Sequence, residues 1–408
     1  MSEPLYSVWL QQCLGYASQA TKPAIEYFKT ARNIYEASYD ERLRSGVFTS
    51  AQLRKMSEKK LETAEKIIEK CKAYRYSILS IEDETYPQKL YEISNPPAVI
   101  YVSGTMPDVD NILTIGVVGT RTATTEGIRN SFTFGRDLAR CGAVVVSGGA
   151  LGIDCASHRG VLQNDGITIC VLGCGINYDY LPANAPMRRL IAKKGAVISE
   201  YPPDTPPANY NFPSRNRIIS GLSNGVLVIE AGDRSGSLIT AHLALEQNRE
   251  VFSVPGSLVN IYSRGTNSLI KQGAIPVTSY RDIVAEYAQR YELIVDHDEA
   301  LATEEEVREV PFLTDKLHKA PKPKSSSRVS FNKEKIISKE KPKKQIKCPN
   351  GVSAEAEAVF SCLNDEPLHI DQISDLSGLR PQQVMSALTE LEIFGAAKNV
   401  SGGRYTRS

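Results

Sequence analysis

A doubly wound α/β fold with a mostly parallel sheet is predicted for this 408-residue chain on three observations. Between about 112 and 280, short apolar runs recur at 112–118, 143–146, 167–172, 196–198, 226–229, 251–254 and 274–277. Each is too continuous for a strand with one wet face, so the sheet should be covered on both sides. Stretches of helical character separate the runs, as the crossovers between parallel strands require. Segments of glycine, hydroxyl residues and arginine follow several runs, and ligands of such sheets bind at the carboxyl ends of the strands.

Residues 1–80 read as an N-terminal helical domain. Apolar side chains recur there at helical spacing: Tyr6, Val8, Trp9, Leu10 and Leu14; Ile25, Tyr27 and Phe28; Leu61, Ala64, Ile67 and Ile68. Turn chemistry at Asp83-Glu84-Thr85-Tyr86-Pro87 and Asn95-Pro96-Pro97 opens the sheet domain, assigned to 81–290, and leads into a short strand over 98–102. Residues 291–350 break the order. An acidic run from Glu292 to Glu306 gives way to a lysine-rich run from Lys316 to Lys347 that also carries proline and serine. Such a segment has too little apolar surface to fold alone and is expected to be a charged tether, with an electrostatic grip on nucleic acid as the alternative. Order returns over 351–408. A helix from Ala354, a short strand at Leu368-His369, a helix from Asp371 and a third opened by Arg380-Pro381 precede a hairpin turn at Gly402-Gly403. That is helix–turn–helix order with a terminal wing.

The hydrophobic and charged fractions, 41% and 23%, are those of an ordinary soluble globular protein. A formal net charge of +1 gives no global pull toward a polyanion, so any basic surface must be local. Eight cysteines form no CxxC pair, and no signal peptide or 18-residue apolar run stands out, so a reducing cytoplasm and no membrane are expected.

Gly119-Thr120-Arg121 closes the first long run: glycine admits a ligand to the backbone, threonine donates a hydroxyl, and arginine offers a planar fork. The plainer alternative is a strand-end turn with a solvated arginine. Ser147-Gly148-Gly149-Ala150-Leu151-Gly152-Ile153-Asp154 enters a helix, where bare N–H groups and the dipole favour an anion. Asp154 there is read as a carboxylate that locks the turn, with direct ligand contact as the alternative, and Glu230 as a structural strand-end residue, with a lone acid–base carboxylate as the alternative. Phe212-Pro213-Ser214-Arg215-Asn216-Arg217 is expected just before a helix starting near Ile218. Two guanidiniums beside an aromatic suit a phosphodiester chain with a base to stack. The alternative puts Phe212 in the core and one arginine in an internal salt bridge. Ser235-Gly236-Ser237 can serve an anion or act as an ordinary helix cap. No catalytic residue and no metal ligand set is assigned. His158 and His242 fall on helices, and no serine sits in a nucleophile elbow. The glycine pattern is neither a Walker loop nor G-x-G-x-x-G, so no nucleotide cofactor is expected.

Taken in order, Gly119-Thr120-Arg121, Ser147-Gly148 with Gly152-Ile153-Asp154, Phe212-Pro213 with Arg215-Asn216-Arg217, Glu230-Ala231 with Ser235-Gly236-Ser237, and Val254-Pro255-Gly256 resemble the DprA (DNA processing protein A, also called Smf) family. The resemblance runs from about Asp83 to Ala274, and the C-terminal segment is similar to that family's winged helix. It implies an extended Rossmann domain, self-association as a homodimer, preference for single- over double-stranded DNA, and delivery of that DNA to the recombinase RecA in natural transformation. Its phosphate pocket carries over to Arg121, Ser147, Gly148, Arg215, Arg217, Ser235 and Ser237, with Phe212 stacking on bases. Three departures stand out: Leu151 for a frequent lysine, Leu181 for a frequent proline, and Tyr16-Ala17-Ser18-Gln19-Ala20 where a DNA-binding hairpin would want Gly-x-Gly. Two other classes compete. A nucleotide phosphoribohydrolase of similar fold would want a glutamate after Pro-Gly-Gly-x-Gly-Thr, and the stretch from Glu230 to Thr240 has no carboxylate after its second glycine. A nucleotide-sensing adaptor would bind mononucleotides and ignore oligonucleotides.

Overall fold

The β-branched runs become strands of one nine-stranded sheet in the computed structural model, which describes residues 4–293, 302, 306, 352–363, 368–394, 396–401 and 404–407. The strands are β1 (Ser77–Ser80), β2 (Val99–Gly104), β3 (Thr114–Val118), β4 (Val144–Ser147), β5 (Thr168–Leu172), β6 (Ala196–Ser199), β7 (Gly225–Val228), β8 (Glu250–Ser253) and β9 (Ile275–Pro276). Their order across the sheet is β1-β2-β6-β5-β4-β3-β7-β8-β9. From β6 to β9 every pairing is parallel, and β2 and β1 add an antiparallel edge. The chain starts the parallel part at β3, winds outward through β4, β5 and β6, then returns to the other side of β3 with β7. Strand order therefore reverses between β3 and β7, the place where doubly wound sheets bind ligands.

The pleat explains why the runs were apolar throughout. Val144, Val146, Val226 and Val228 join one core, while Val145, Leu227, Ile115 and Val117 join the core on the opposite face. Phe134 and Leu138 of the helix Thr125–Arg140 cover the second face, together with Ile153, Val161, Tyr280 and Ile283. The first face takes the N-terminal helices: Val8, Trp9 and Leu10 of Pro4–Leu14, with Ile34 and Met56, share its core with Ile100, Ile198 and Val226. One strand lies where only helices were expected. Ser77–Ser80 pairs antiparallel with β2, and an edge strand of four residues, half of them serine, carries no alternating signal.

The chain divides into two units, Met1–Pro323 and Lys324–Ser408. The second, taken by itself, has helices Ala354–Cys362, Ile370–Ser377 and Pro381–Ile393 and a three-stranded antiparallel sheet of Leu368–His369, Arg404–Arg407 and Ala397–Ser401. Val359, Phe360, Ile373, Val384, Leu388 and Tyr405 form its core. Gly402 and Gly403, and the lysine-rich run expected as a tether, lie outside the described residues. Among the described residues no helix is long and apolar enough to cross a membrane.

Candidate nucleic-acid interface

At the reversal point, the β3–β7 pairing continues past both strands, with Thr120 N–H donating to the Glu230 carbonyl at 2.8 Å. The Thr120 carbonyl accepts from Ile153 N–H at 3.3 Å, which stitches Gly119-Thr120 to the start of the helix Ile153–Gln163. A Cβ on Gly119 would stand 2.5 Å from Ile153 Cγ1 and 3.0 Å from the Glu230 carbonyl oxygen, so only glycine passes there. The chain then turns outward and presents Arg121 exposed, its guanidinium carbon 5.3 Å from the Phe212 ring centroid. That is cation–π range, and the side chain stays open to solvent.

Phe212 comes from the helix Asn211–Gly221, which takes in the whole Phe212–Arg217 motif. The motif was expected to precede the helix, because proline, serine and asparagine are poor helix formers. Pro213 is tolerated because N–H groups in the first turn have no intrahelical partner. The helix Gly236–Glu246 starts beside it, capped by Ser235, whose Oγ accepts from Ser237 N–H at 3.4 Å. Two helix N-termini thus converge on one cavity of about 440 Å³. Gly119, Thr120, Arg121, Phe212, Arg215, Asn216, Ser235, Gly236 and Ser237 line it, so most of the expected residues meet at one place.

Arg215 is its buried cation, 4% exposed, donating from Nη1 to the Val171 carbonyl at 2.6 Å. Its Nε has no hydrogen-bond partner, and among the described residues neither Arg215 nor Arg121 lies within ion-pair distance of a carboxylate. Gly148 lets this guanidinium in, since a Cβ there would stand 2.0 Å from Nη1. Asp154 accepts from Gly148 N–H at 3.2 Å and Ala150 N–H at 3.4 Å, and holds the loop closed. Burial pushes its carboxyl up from the ordinary value, against the opposing pull of Arg215 and of those two amides. Glu230 is committed to Thr124, accepting from its N–H at 2.9 Å and from its hydroxyl at 2.5 Å.

Besides Gly148, which only makes room for Arg215, four expected residues do not line the cavity. Arg217 is corrected to an internal role. It is 2% exposed, donates from Nη2 to Glu200 at 2.8 Å, and spends Nε and Nη1 on the Asn95 and Ser214 carbonyls. One residue after Asn216 on a helix, its side chain points about 100° away and falls on the core side. Ser147 is fully buried, and its hydroxyl donates to the Val117 carbonyl at 2.6 Å, inside the sheet. Gly149 and Gly152 shape the loop rather than line the cavity, with φ of +64° and +77°. Sequence reasoning missed Thr240 and Tyr180. Thr240 lines the cavity one helical turn after Gly236, a spacing that could have flagged it. Tyr180 packs against Phe212 at 5.3 Å between centroids. It precedes Leu181, whose φ of +50° is closed to the proline it replaces.

The family model described as DNA recombination-mediator protein A matches residues 77–288, and the one described as the DprA winged helix domain matches 342–403. DNA processing protein DprA of Bacillus subtilis (strain 168) is 43% identical over 221 residues, 53% of this chain and 74% of that protein. Protein Smf of Escherichia coli (strain K12) is 44% identical over 210 residues, 51% of this chain and 56% of that protein. The X-ray structure of DNA processing protein A from Streptococcus pneumoniae is similar at 34% identity, covering 70% of this chain and 99% of that one with a TM-score of 0.61.

Proposed function

The chain belongs to the DNA recombination-mediator protein A family, and from that premise we propose that it binds single-stranded DNA and hands it to a RecA-type recombinase. One observation carries the reading. The cavity at the β3–β7 reversal gathers two guanidiniums that lie outside ion-pair distance of any carboxylate among the described residues, the Asp154 carboxylate that feels them both, two helix N-termini and a partly exposed aromatic ring. Arginine forks and helix amides suit successive phosphates, and a ring suits whichever base follows, so the binding is sequence-tolerant. Single strands are favoured over duplexes because a base must leave its stack to reach Phe212. Self-association as a homodimer, a cytoplasmic location, protection of incoming DNA and a part in natural transformation complete the proposal, resting on the family likeness.

Binding rather than hydrolysis is favoured by the two carboxylates near the cavity. Glu230 has both oxygens engaged by Thr124, and Asp154, which lines the cavity, holds two loop amides on one oxygen and faces Arg215, so the cavity offers no paired carboxylates for acid–base work. Release of free base from nucleoside monophosphates would establish the phosphoribohydrolase alternative instead. Tight mononucleotide binding with indifference to oligonucleotides would establish the sensing alternative. The direct test is fluorescence anisotropy with single- and double-stranded oligonucleotides across a salt series. Arg121→Ala is expected to weaken single-strand binding by roughly 1–3 kcal/mol and to flatten the log–log salt slope by about 0.7. Unchanged binding in the Arg121→Ala, Arg215→Ala double variant moves the DNA site elsewhere. Recombinase transfer is checked by adding the chain to RecA and DNA coated with a single-strand-binding protein, and following ATP hydrolysis.

A further inference from the structure

A second cavity, of about 520 Å³, lies between the helix Ala185–Lys194, the loop after β5 and the strands β2 and β6. We propose that it is a second nucleotide subsite, which receives the units of the same DNA strand that run on from the β3–β7 cavity. The proposal rests on the single-strand-binding reading above.

Its lining has the chemistry of that ligand. Arg188, Arg189 and Lys193 face one carboxylate, Asp179, and none of the three cations is ion-paired among the described residues. On the helix, Ala185, Arg188, Arg189, Ala192 and Lys193 share one face by their spacing of three and four. The two alanines leave the floor low, and the cations stand around it. Arg188 is 8% exposed, and its guanidinium bond is a long one, from Nη1 to the Leu181 carbonyl at 3.4 Å. An anion entering the cavity could complete the hydrogen bonding of this guanidinium. Stacking surfaces are present as well. Tyr178 and Tyr76 line the cavity, and Tyr76 is itself stacked on Tyr74 at 5.5 Å and 24°.

One loop links the two cavities. Tyr180, packed on Phe212 of the first cavity, belongs to the same loop as Tyr178 of the second, and its N–H donates to the Tyr178 carbonyl at 2.8 Å. A path therefore runs from Arg121 over the rings of Phe212, Tyr180 and Tyr178 to Arg189 and Lys193, with cations at both ends and aromatic rings between them. Bases stack on any ring and phosphates pair with any fixed cation, so one strand fits the whole path. A small-molecule site would instead need convergent polar groups of fixed geometry.

The test uses the full chain and two oligothymidylates, one of about six nucleotides and one of about fifteen, lengths that bracket usual single-strand site sizes. The variant is Arg189→Gln with Lys193→Gln, both exposed and outside the first cavity. It is expected to bind the long oligonucleotide about five- to twentyfold more weakly, with a salt slope lower by about 1.4, and the short one within about twofold of the parent chain. Cross-linking of a photoreactive pyrimidine to Tyr178, seen with the long oligonucleotide alone, would agree. Parent-like binding of both lengths overturns the proposal, and so does an equal loss on both, which is what diffuse electrostatics would give. Arg121→Ala separates the two levels. If that variant binds the short oligonucleotide like the parent, the first cavity is not the DNA site, and the second subsite falls with it.

Discussion

At Arg217 all three guanidinium nitrogens are engaged, with the Glu200 carboxylate and two carbonyls, while the second Glu200 oxygen is buried without a partner. Removing this arginine strands a buried carboxylate. Arg217→Met is therefore expected to cost about 3–5 kcal/mol in chemical denaturation, whereas the exposed Arg121→Ala should stay within about 0.5 kcal/mol of the parent. A mild Arg217 variant with weak DNA binding would return this residue to the interface. The sequence could not tell Arg217 from Arg215, because composition does not report which face of a helix meets the core. His158 poses a different residue-scale problem. The Thr168 hydroxyl donates to the Val145 carbonyl at 2.7 Å, so His158 must donate to it from Nδ1–H, leaving Nε2 buried and unpartnered. Burial, then the nearby Arg215 charge, pushes the imidazole down to about 3. Its folded pKa is depressed, so below about 6.5 the unfolded chain binds a proton that the folded chain refuses. Stability is thus lost as pH falls from about 6.5 toward 3. Relative to His158→Gln, the parent should lose about 2 kcal/mol between pH 7 and pH 5, and parallel denaturation curves would refute this account.

The elements of the parallel sheet were legible because strands covered on both faces must be apolar at every position, as Val144 to Val146 and Val226 to Val228 show. Two elements were not. Ser77–Ser80 has neither length nor alternation, and the helix Asn211–Gly221 opens on residues whose propensity argues against it until the tolerance of its first turn is counted. The loop after β4 shows what the glycines do at this scale. Gly152 has φ +77°, and a Cβ there would stand 2.4 Å from the Thr120 carbonyl oxygen, backbone of the strand-end turn that presents Arg121. Gly142 also has positive φ, +85°, but nothing lies within 4 Å of its Cβ position. Alanine at Gly142 is expected to cost about 1 kcal/mol, the dihedral penalty alone. At Gly152 the clash adds to it, so the loss should reach about 3 kcal/mol or more and DNA binding should fall as Arg121 is displaced. Equal losses in thermal melts of the two variants would mean that the loop yields without disturbing the turn.

Across the whole molecule, formal charge nearly cancels at +1, so affinity for a polyanion has to come from where the charges sit. Every residue lining the first cavity belongs to the unit Met1–Pro323, and the second cavity lies in that unit too. The lysine-rich run straddles the division between the units and falls outside the described residues. Sequence alone left two sources of DNA affinity in play, the sheet and the lysines, because a basic run and a glycine–arginine rim are both legible as patterns. Only the fold brings Arg121, Phe212, Arg215 and Ser237 to one cavity from three separate crossovers. If that cavity holds the main site, a chain ending at Pro323 should bind single-stranded DNA within about threefold of the full chain at physiological salt. At low salt the gap should widen, since lysines acting through counterion release add affinity that falls steeply with ionic strength. A loss beyond about tenfold at physiological salt, with the shortened chain still melting cooperatively, would shift the main site to the lysines or to the C-terminal unit.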